Sequence, residues 1–109
     1  MDAARLEDLL LLDDAAFRLK FSGSPIKRIG RDRFIRNVLI AAGNAGLPAL
    51  VPRVRMHLED PSPVVRGTAI WALARLLPPE AFEGLKQALS PLEGDTAVKA
   101  EWDAISGSA

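Results

Sequence analysis

The residues best suited to chemistry are long cationic side chains clustered between positions 18 and 36. Across this segment a single acid, Asp32, accompanies seven cations: Arg18, Lys20, Lys27, Arg28, Arg31, Arg33 and Arg36. The whole chain is formally neutral, with 14 basic and 14 acidic residues, so this positive excess is local. A local positive field on a neutral domain is typical of a surface that binds a polyanion.

Four of these cations form the predicted anion-binding site, because they surround one turn and have only Asp32 nearby. They are Lys27, Arg28, Arg31 and Arg33. Phosphate contacts need long cationic side chains on a rigid base, and exposed helix starts add unpaired N–H donors. The pattern therefore predicts phosphate binding, with a solvated basic face that binds nothing as the alternative.

No catalytic constellation is recognisable elsewhere in the sequence. The chain contains no cysteine, which excludes disulfides, an iron–sulfur site and a thiol nucleophile within it and fits a cytoplasmic protein. The single histidine, His57, argues against a structural zinc site and is predicted to be a surface or packing residue. The acidic pairs 13–14 and 59–60 are predicted to be helix caps rather than acid–base dyads. We therefore expect no enzyme activity, metal or small-molecule substrate in this chain.

Three further side chains have both a structural and a functional interpretation. Asn44 directly follows a glycine and is predicted to cap a helix with positive φ. Trp71 has helical spacing within an apolar run, which favours the core over a base-stacking platform. Trp102 lies among polar residues and is predicted to belong to a surface that faces a partner.

The elements that position the basic cluster are predicted to be helical. Hydrophobic residues make up 49% of the chain and aromatic residues 6%, there is no tyrosine, and Ala, Leu, Arg and Glu dominate. Ser24 and Pro25 are predicted to start a short helical turn, and Gly30 allows a bend after it. The predicted helices cover one or two segments within 1–20, a turn at 26–29, and then 31–42, 48–58, 64–77, 80–89 and 95–105, with 106–109 frayed. No apolar run reaches the length needed to span a bilayer.

An internal repeat relates three of these helices. Phe34-Ile35-Arg36 aligns with Val64-Val65-Arg66 and, more faintly, with Ala97-Val98-Lys99, at offsets of 30 and 33 residues. Units of this length, each a pair of helices, predict an all-α fold, a short α-solenoid of HEAT-like pairs. We expect one domain over 1–109, made of N-terminal helices (1–21), the basic turn and helix (22–46), a repeat pair (47–77) and a degenerate C-terminal repeat (78–109).

The repeated basic residue has a structural alternative of its own. In stacked helical pairs such a residue commonly pairs with an acid of the next repeat, here Asp60 or Asp95. This interpretation is favoured for Arg66, whereas for Arg36 both interpretations stay open.

Several of these segments, taken in order, resemble a known family. The first group is Phe17, Phe21, Gly23-Ser24-Pro25-Ile26-Lys27-Arg28, Arg31, Phe34, Arg36-Asn37 and Gly43-Asn44. The second is Asp60-Pro61-Ser62-Pro63-Val64-Val65-Arg66-Gly67 with Trp71-Ala72-Leu73. From about Leu6 to Leu77 the sequence resembles the C-terminal part of tRNA epoxyqueuosine reductase, which completes queuosine at the tRNA wobble position.

The resemblance implies a division of labour. In that family an N-terminal portion binds cobalamin, a ferredoxin-like portion carries two [4Fe–4S] clusters, and the C-terminal helical repeats help to hold the tRNA. This chain has no cysteine and no room for the cofactor domains, so it resembles the non-catalytic tail alone. The implied partners are tRNA, contacted at its phosphates by Lys27, Arg28, Arg31 and Arg33, and the remaining domains of the parent enzyme. The alternative is a free-standing HEAT-like adaptor that binds a protein through Trp102 or an apolar solenoid end.

Overall fold

The computed structural model describes residues 3–105, and every regular element in that range is helical. The α-helices are α1 (Ala3–Leu10), α2 (Asp14–Lys20), α3 (Arg31–Ala45), α4 (Val51–Met56), α5 (Pro63–Leu76), α6 (Pro79–Leu89) and α7 (Thr96–Ala104). Short 3-10 helices occupy Pro25–Ile29, Pro48–Leu50, His57–Glu59 and Ser90–Leu92. The predicted all-α class is confirmed. The predicted fraying of 106–109 concerns residues outside the described range.

None of the described helices combines the length and apolar character that a membrane crossing requires.

The three segments of the repeat form a row of stacked helices. α5 packs against α3 on one side and α7 on the other, while α1, α4 and α6 pack against members of this row. The aligned residues Ile35, Val65 and Val98 are all buried. Side-chain caps start two of these helices: Ser62 Oγ accepts the N–H of Val65, and Asp95 Oδ1 accepts the N–H groups of Ala97 and Val98. The result is the short α-solenoid that the repeat predicted.

The N-terminal helices are fixed by a cap and an aromatic cluster. Asp13 Oδ1 accepts the N–H of Ala16 at 2.8 Å and caps α2, as predicted. The rings of Phe17, Phe21 and Phe34 pack together with centroids 5.0 to 5.3 Å apart. Since Phe21 precedes the basic turn and Phe34 follows it, both flanks of the turn are held by one cluster.

The end of α3 differs from its prediction. The helix continues through Gly43 and Asn44 to Ala45, and Gly46 caps it with a φ of 65°. Asn44 is therefore helical, and no described residue other than glycine has positive φ, so the predicted Asn44 cap is wrong. Gly43 is a packing residue: a Cβ there would lie 2.7 Å from the Trp71 ring and 3.2 Å from the Ala72 Cα.

Trp102 also differs from its prediction. Its side chain is only 2% exposed, and its ring lies 5.5 Å from that of Phe82, between α7 and α6. One helical turn separates it from buried Val98, so both residues point into the core. A partner-facing role for Trp102 is therefore wrong. Trp71 is half-buried against the core, with the Arg75 guanidinium 5.2 Å from its ring centroid.

Candidate nucleic-acid interface

The basic turn is a single 3-10 segment, Pro25–Ile29, exposed along its whole length. Ser24 Oγ accepts the N–H of Ile26 at 3.2 Å, and Pro25 occupies the first helical position, as the sequence predicted. Gly30 ends the turn with a φ of 84°, a conformation that strongly favours glycine. The turn thus projects from the surface just ahead of α3.

Three of the four predicted phosphate ligands are available on this surface. Lys27 and Arg28 are exposed on the turn, and Arg33 is exposed in the first turn of α3. No carboxylate of residues 3–105 forms an ion pair with any of the three. Lys27 and Arg28 also line an open depression of about 450 Å³ beside Gly23, Ser24 and Pro25. These three cations can therefore meet an anion without first losing an internal partner.

Arg31, the fourth predicted ligand, is placed differently. Its side chain is only 14% exposed, and Nη1 lies 2.7 Å from Asp60 Oδ2 and 3.1 Å from Asp32 Oδ1. Its Nε donates to the Leu12 carbonyl at 3.1 Å. The Arg31 guanidinium is thus neutralised and largely covered by this domain itself. The structure separates Arg31 from the exposed trio of Lys27, Arg28 and Arg33.

A buried polar junction surrounds the Asp60 carboxylate. Besides Arg31, Asp60 accepts the Ser62 N–H at 2.9 Å through Oδ1, and its side chain is 6% exposed. His57 Nε2 lies 2.8 Å from the Leu10 carbonyl. Because a carbonyl oxygen only accepts, Nε2 carries the proton, and Nδ1 then faces Asp60 Oδ2 at 3.6 Å. The junction links the end of α1, the start of α3 and the segment between α4 and α5.

The charge states of the junction follow from burial and these contacts. Burial lowers the pKa of His57 below its usual value, and the nearby Arg31 charge adds to this effect. Burial alone would raise the pKa of Asp60, but hydrogen bonds from the Ser62 N–H and from Arg31 outweigh it, so that pKa is lowered. At neutral pH the junction therefore holds a neutral imidazole beside a charged Arg31–Asp60 pair.

A second ion pair lies further along the chain, between Arg66 and Glu93. Arg66 binds Glu93 through two hydrogen bonds of 3.0 Å, and the Asp95 N–H donates to Glu93 Oε2 at 2.9 Å. The sequence correctly predicted a structural Arg66 paired with an acid of the next repeat, but the acid is Glu93 rather than Asp60 or Asp95. Arg66 Nη1 also donates to the Asp60 carbonyl at 2.9 Å, which connects the two pairs.

Arg36 occupies the aligned position in α3 but has no such acid among residues 3–105. It is exposed and lines a groove between α3, α5 and α7 together with Trp71, Asp95 and Glu101. The structural interpretation of Arg36 therefore has no support from its contacts.

This chain does not supply the ligands of the iron–sulfur clusters that the family resemblance implies for a whole reductase. There is no cysteine to supply thiolates to an iron–sulfur cluster. Within residues 3–105, no three His, Asp or Glu side chains are grouped so that they could hold a metal ion.

The helical row belongs to a known repeat architecture. Residues 31–100 match the family model described as HEAT repeats. The chain belongs to the HEAT repeat family. Its three aligned helices, α3, α5 and α7, fall within the matched residues, which confirms the predicted HEAT-like fold.

Curated relatives of this HEAT-repeat chain include several epoxyqueuosine reductases. That of Xanthomonas campestris pv. campestris is 37% identical over 76 residues, covering 69% of this chain and 21% of the relative. That of Bacillus subtilis (strain 168) is 33% identical over 98 residues, covering 88% of this chain and 25% of the relative. The chain thus spans only a fifth to a quarter of the relatives' length. The resemblance to this enzyme family is confirmed.

Solved structures give the same relationship. A crystal structure of epoxyqueuosine reductase with a tRNA-Tyr epoxyqueuosine-modified tRNA stem loop is similar to this HEAT-repeat chain with a TM-score of 0.82 and 27% sequence identity. The match covers 90% of this chain and 26% of that one.

Proposed function

We propose that this chain is a non-catalytic, tRNA-binding HEAT-repeat module of the epoxyqueuosine reductase type. The observation that carries the proposal is the exposed trio, whose three positive charges have no carboxylate partner among residues 3–105. Similarity to a reductase crystallised with a tRNA stem loop supports RNA as the polyanion. Long cationic side chains on a short turn are better suited to contacting RNA phosphates and the shape of the RNA than to recognising its bases.

The reductase chemistry would then lie in other domains. The [4Fe–4S] clusters would be bound there, since this chain lacks the thiolate ligands that such clusters need. Cobalamin, which the family resemblance assigns to an N-terminal portion, would be bound there as well. The module would hold the tRNA relative to those domains, and its partners would be the tRNA and the remainder of such an enzyme.

Binding of the chain to an unmodified tRNA transcript, measured by fluorescence anisotropy across salt concentrations, tests the proposal. We expect affinity to fall steeply as salt rises, because each phosphate contact releases condensed counterions. Lys27→Gln should weaken binding at low salt and reduce the slope of log K against log salt by about 0.7 to 0.9, the value for one contact. Folded protein with no affinity for tRNA at low salt would contradict the proposal.

Lys99→Gln is the matched control for this measurement. Lys99 is also an exposed lysine, but it lies on α7 beside Glu93, Asp95 and Asp103 rather than on the basic turn. The two substitutions remove the same charge, so a general electrostatic effect would change both slopes alike. We expect the Lys99 variant to keep the slope of the unaltered chain.

A protein-binding adaptor is the second candidate function. A groove of about 590 Å³ is lined by both apolar and charged residues, and two of the apolar ones, Met56 and Leu92, are 54% and 79% exposed. Binding by this groove would not depend on the basic turn. A partner captured equally by the chain and its Lys27→Gln variant, with no tRNA affinity in either, would favour the adaptor.

A further inference from the structure

We propose that the Arg31–Asp60 ion pair is a positioning device for the basic turn, so that Arg31 increases RNA affinity without contacting RNA. This inference rests on the proposed tRNA binding and adds two residues to it. Arg31 holds the turn in place, and Asp60 holds Arg31. Asp60 therefore favours the binding of a polyanion although it is itself negatively charged.

The first support is the place of Arg31 in the chain. It directly follows Gly30, the last residue of the turn, and begins α3. Its guanidinium reaches back to the Leu12 carbonyl and across to Asp60, which is itself fixed by the Ser62 N–H. One side chain thus ties the end of the turn to two separate parts of the solenoid.

The second support is the charge balance around Arg31. Two carboxylates, of Asp60 and Asp32, lie within 3.1 Å of its Nη1, so the group as a whole presents no positive charge to a ligand. Removing Arg31 from this arrangement to reach a phosphate would leave Asp60 buried and unpaired, which is costly. Arg31 therefore cannot act as Lys27 does.

The third support is that the turn has few other constraints. None of the five residues Pro25–Ile29 is buried, and the backbone hydrogen bonds that join the turn to its flanking residues, Lys27 N–H to Ser24 and Gly30 N–H to Lys27, are long at 3.2 and 3.3 Å. The turn is held mainly at its ends, by the ring cluster that includes Phe21 and Phe34 and by Arg31. A turn released at one end must be ordered again on binding, which lowers affinity.

Two aspartate substitutions test this inference, because they remove the same charge beside the same arginine. Asp60→Asn breaks the buried pair, and Asp32→Asn removes the exposed acid, whose side chain is 61% exposed. Electrostatics alone predicts tighter tRNA binding for both variants, since each loses a negative charge. Positioning predicts the opposite sign for Asp60→Asn, with affinity about tenfold weaker. We expect Asp32→Asn to bind equally or slightly tighter.

The salt slope and backbone dynamics separate positioning from lost contacts and from general destabilisation. All three exposed cations remain in Asp60→Asn, so its slope should equal that of the unaltered chain. Backbone ¹⁵N order parameters of Lys27 to Gly30 should fall in the free variant and recover with bound tRNA, while those of α5 and α7 stay unchanged. Equal or tighter binding by folded Asp60→Asn, or an unchanged turn, would overturn the inference.

Arg31→Lys keeps the cation but loses the planar donor group that reaches both Leu12 and Asp60. We expect it to weaken binding at an unchanged slope. Arg31→Gln, which removes the charge as well, should also leave the slope unchanged; a slope reduced by one contact in that variant would mean that Arg31 touches phosphate and would refute the inference alone. Absence of tRNA binding by the unaltered chain would instead refute the proposed function, and the inference with it.

Discussion

At the scale of single residues, His57 is the group whose charge is most sensitive to conditions near neutrality. It is buried between the Leu10 carbonyl, Asp60 and Arg31, and its pKa is lowered chiefly by that burial. A proton arriving at Nδ1 would meet the Asp60 carboxylate at 3.6 Å, but also the positive charge that Arg31 already supplies there. The junction is therefore built around a neutral imidazole.

This arrangement predicts acid sensitivity that begins near pH 6.5. Below that value the unfolded chain binds a proton at His57 that the folded chain does not, so the free energy of unfolding should fall with pH until the lowered folded pKa is passed. At lower pH the protonation of Asp60 and Glu93, whose pKa values are also lowered by folding, should reduce stability again as each carboxylate is neutralised.

Urea unfolding at several pH values between 8 and 5 measures the first of these steps. His57→Gln keeps an N–H donor for the Leu10 carbonyl and does not titrate, so its stability should stay nearly constant over this interval. His57 is the chain's only histidine, which makes the comparison direct. Parallel pH profiles for the two proteins would contradict the prediction.

The sequence alone indicated which side chains could bind an anion. It did not indicate which partners from distant parts of the chain folding would bring beside them. Lys27 and Arg31 are both long cationic side chains in the same basic segment. Only folding distinguishes them, because it brings Asp60 beside Arg31. His57 has no local motif, and its partners Leu10 and Asp60 lie on different elements. The exposed trio needed no such information, because none of its three cations forms an ion pair among residues 3–105.

At the scale of elements, the contact between α3 and α5 depends on a glycine, Gly43, which has no side chain. Gly43 lies inside α3, where it lets the Trp71 ring approach the helix backbone. The sequence indicated a helix stop here, at Gly43-Asn44-Ala45-Gly46. Only Gly46 has the positive φ of a cap, whereas the need for Gly43 arises from α5.

Gly43→Ala should therefore destabilise the protein. Overpacking typically costs about 1 to 3 kcal/mol, and the gain in helix propensity of about 1 kcal/mol offsets only part of it. Gly84→Ala is the control: Gly84 is also inside a helix, but a Cβ there would meet nothing within 4 Å. It should gain roughly 0.5 to 1 kcal/mol. Urea unfolding followed by circular dichroism compares the two variants. If both substitutions stabilised the protein, the Trp71 ring would have moved to accommodate the added methyl group, and the prediction would be wrong.

At the scale of the whole molecule, the repeat was predictable because its hydrophobic positions recur at nearly constant spacing. The repeat aligns Ile35, Val65 and Val98 with one another, and all three are buried in the structure. Trp102 was misjudged because Glu101 and Asp103 flank it in sequence. The helical period, which places Trp102 one turn after Val98, was the signal that could have identified it.

The buried position of Trp102 predicts how the two ends of the solenoid are coupled. It packs against Phe82 in the last helical pair, while the basic turn belongs to the first part of the chain. In stacked repeats each unit contacts mainly its neighbours, so damage at one end should weaken with distance. Trp102→Leu, which leaves a cavity, should cost about 2 to 4 kcal/mol in the C-terminal pair.

Hydrogen exchange measured by mass spectrometry tests this coupling in the folded chain. Under conditions where Trp102→Leu stays folded, exchange should accelerate strongly in α6 and α7 and little in α3, and tRNA affinity should change less than about twofold. Gln87→Ala is a suitable control, since Gln87 is exposed on α6. Uniform acceleration through α1–α7 would mean that the solenoid unfolds as one unit, and the basic turn would then depend on its far end.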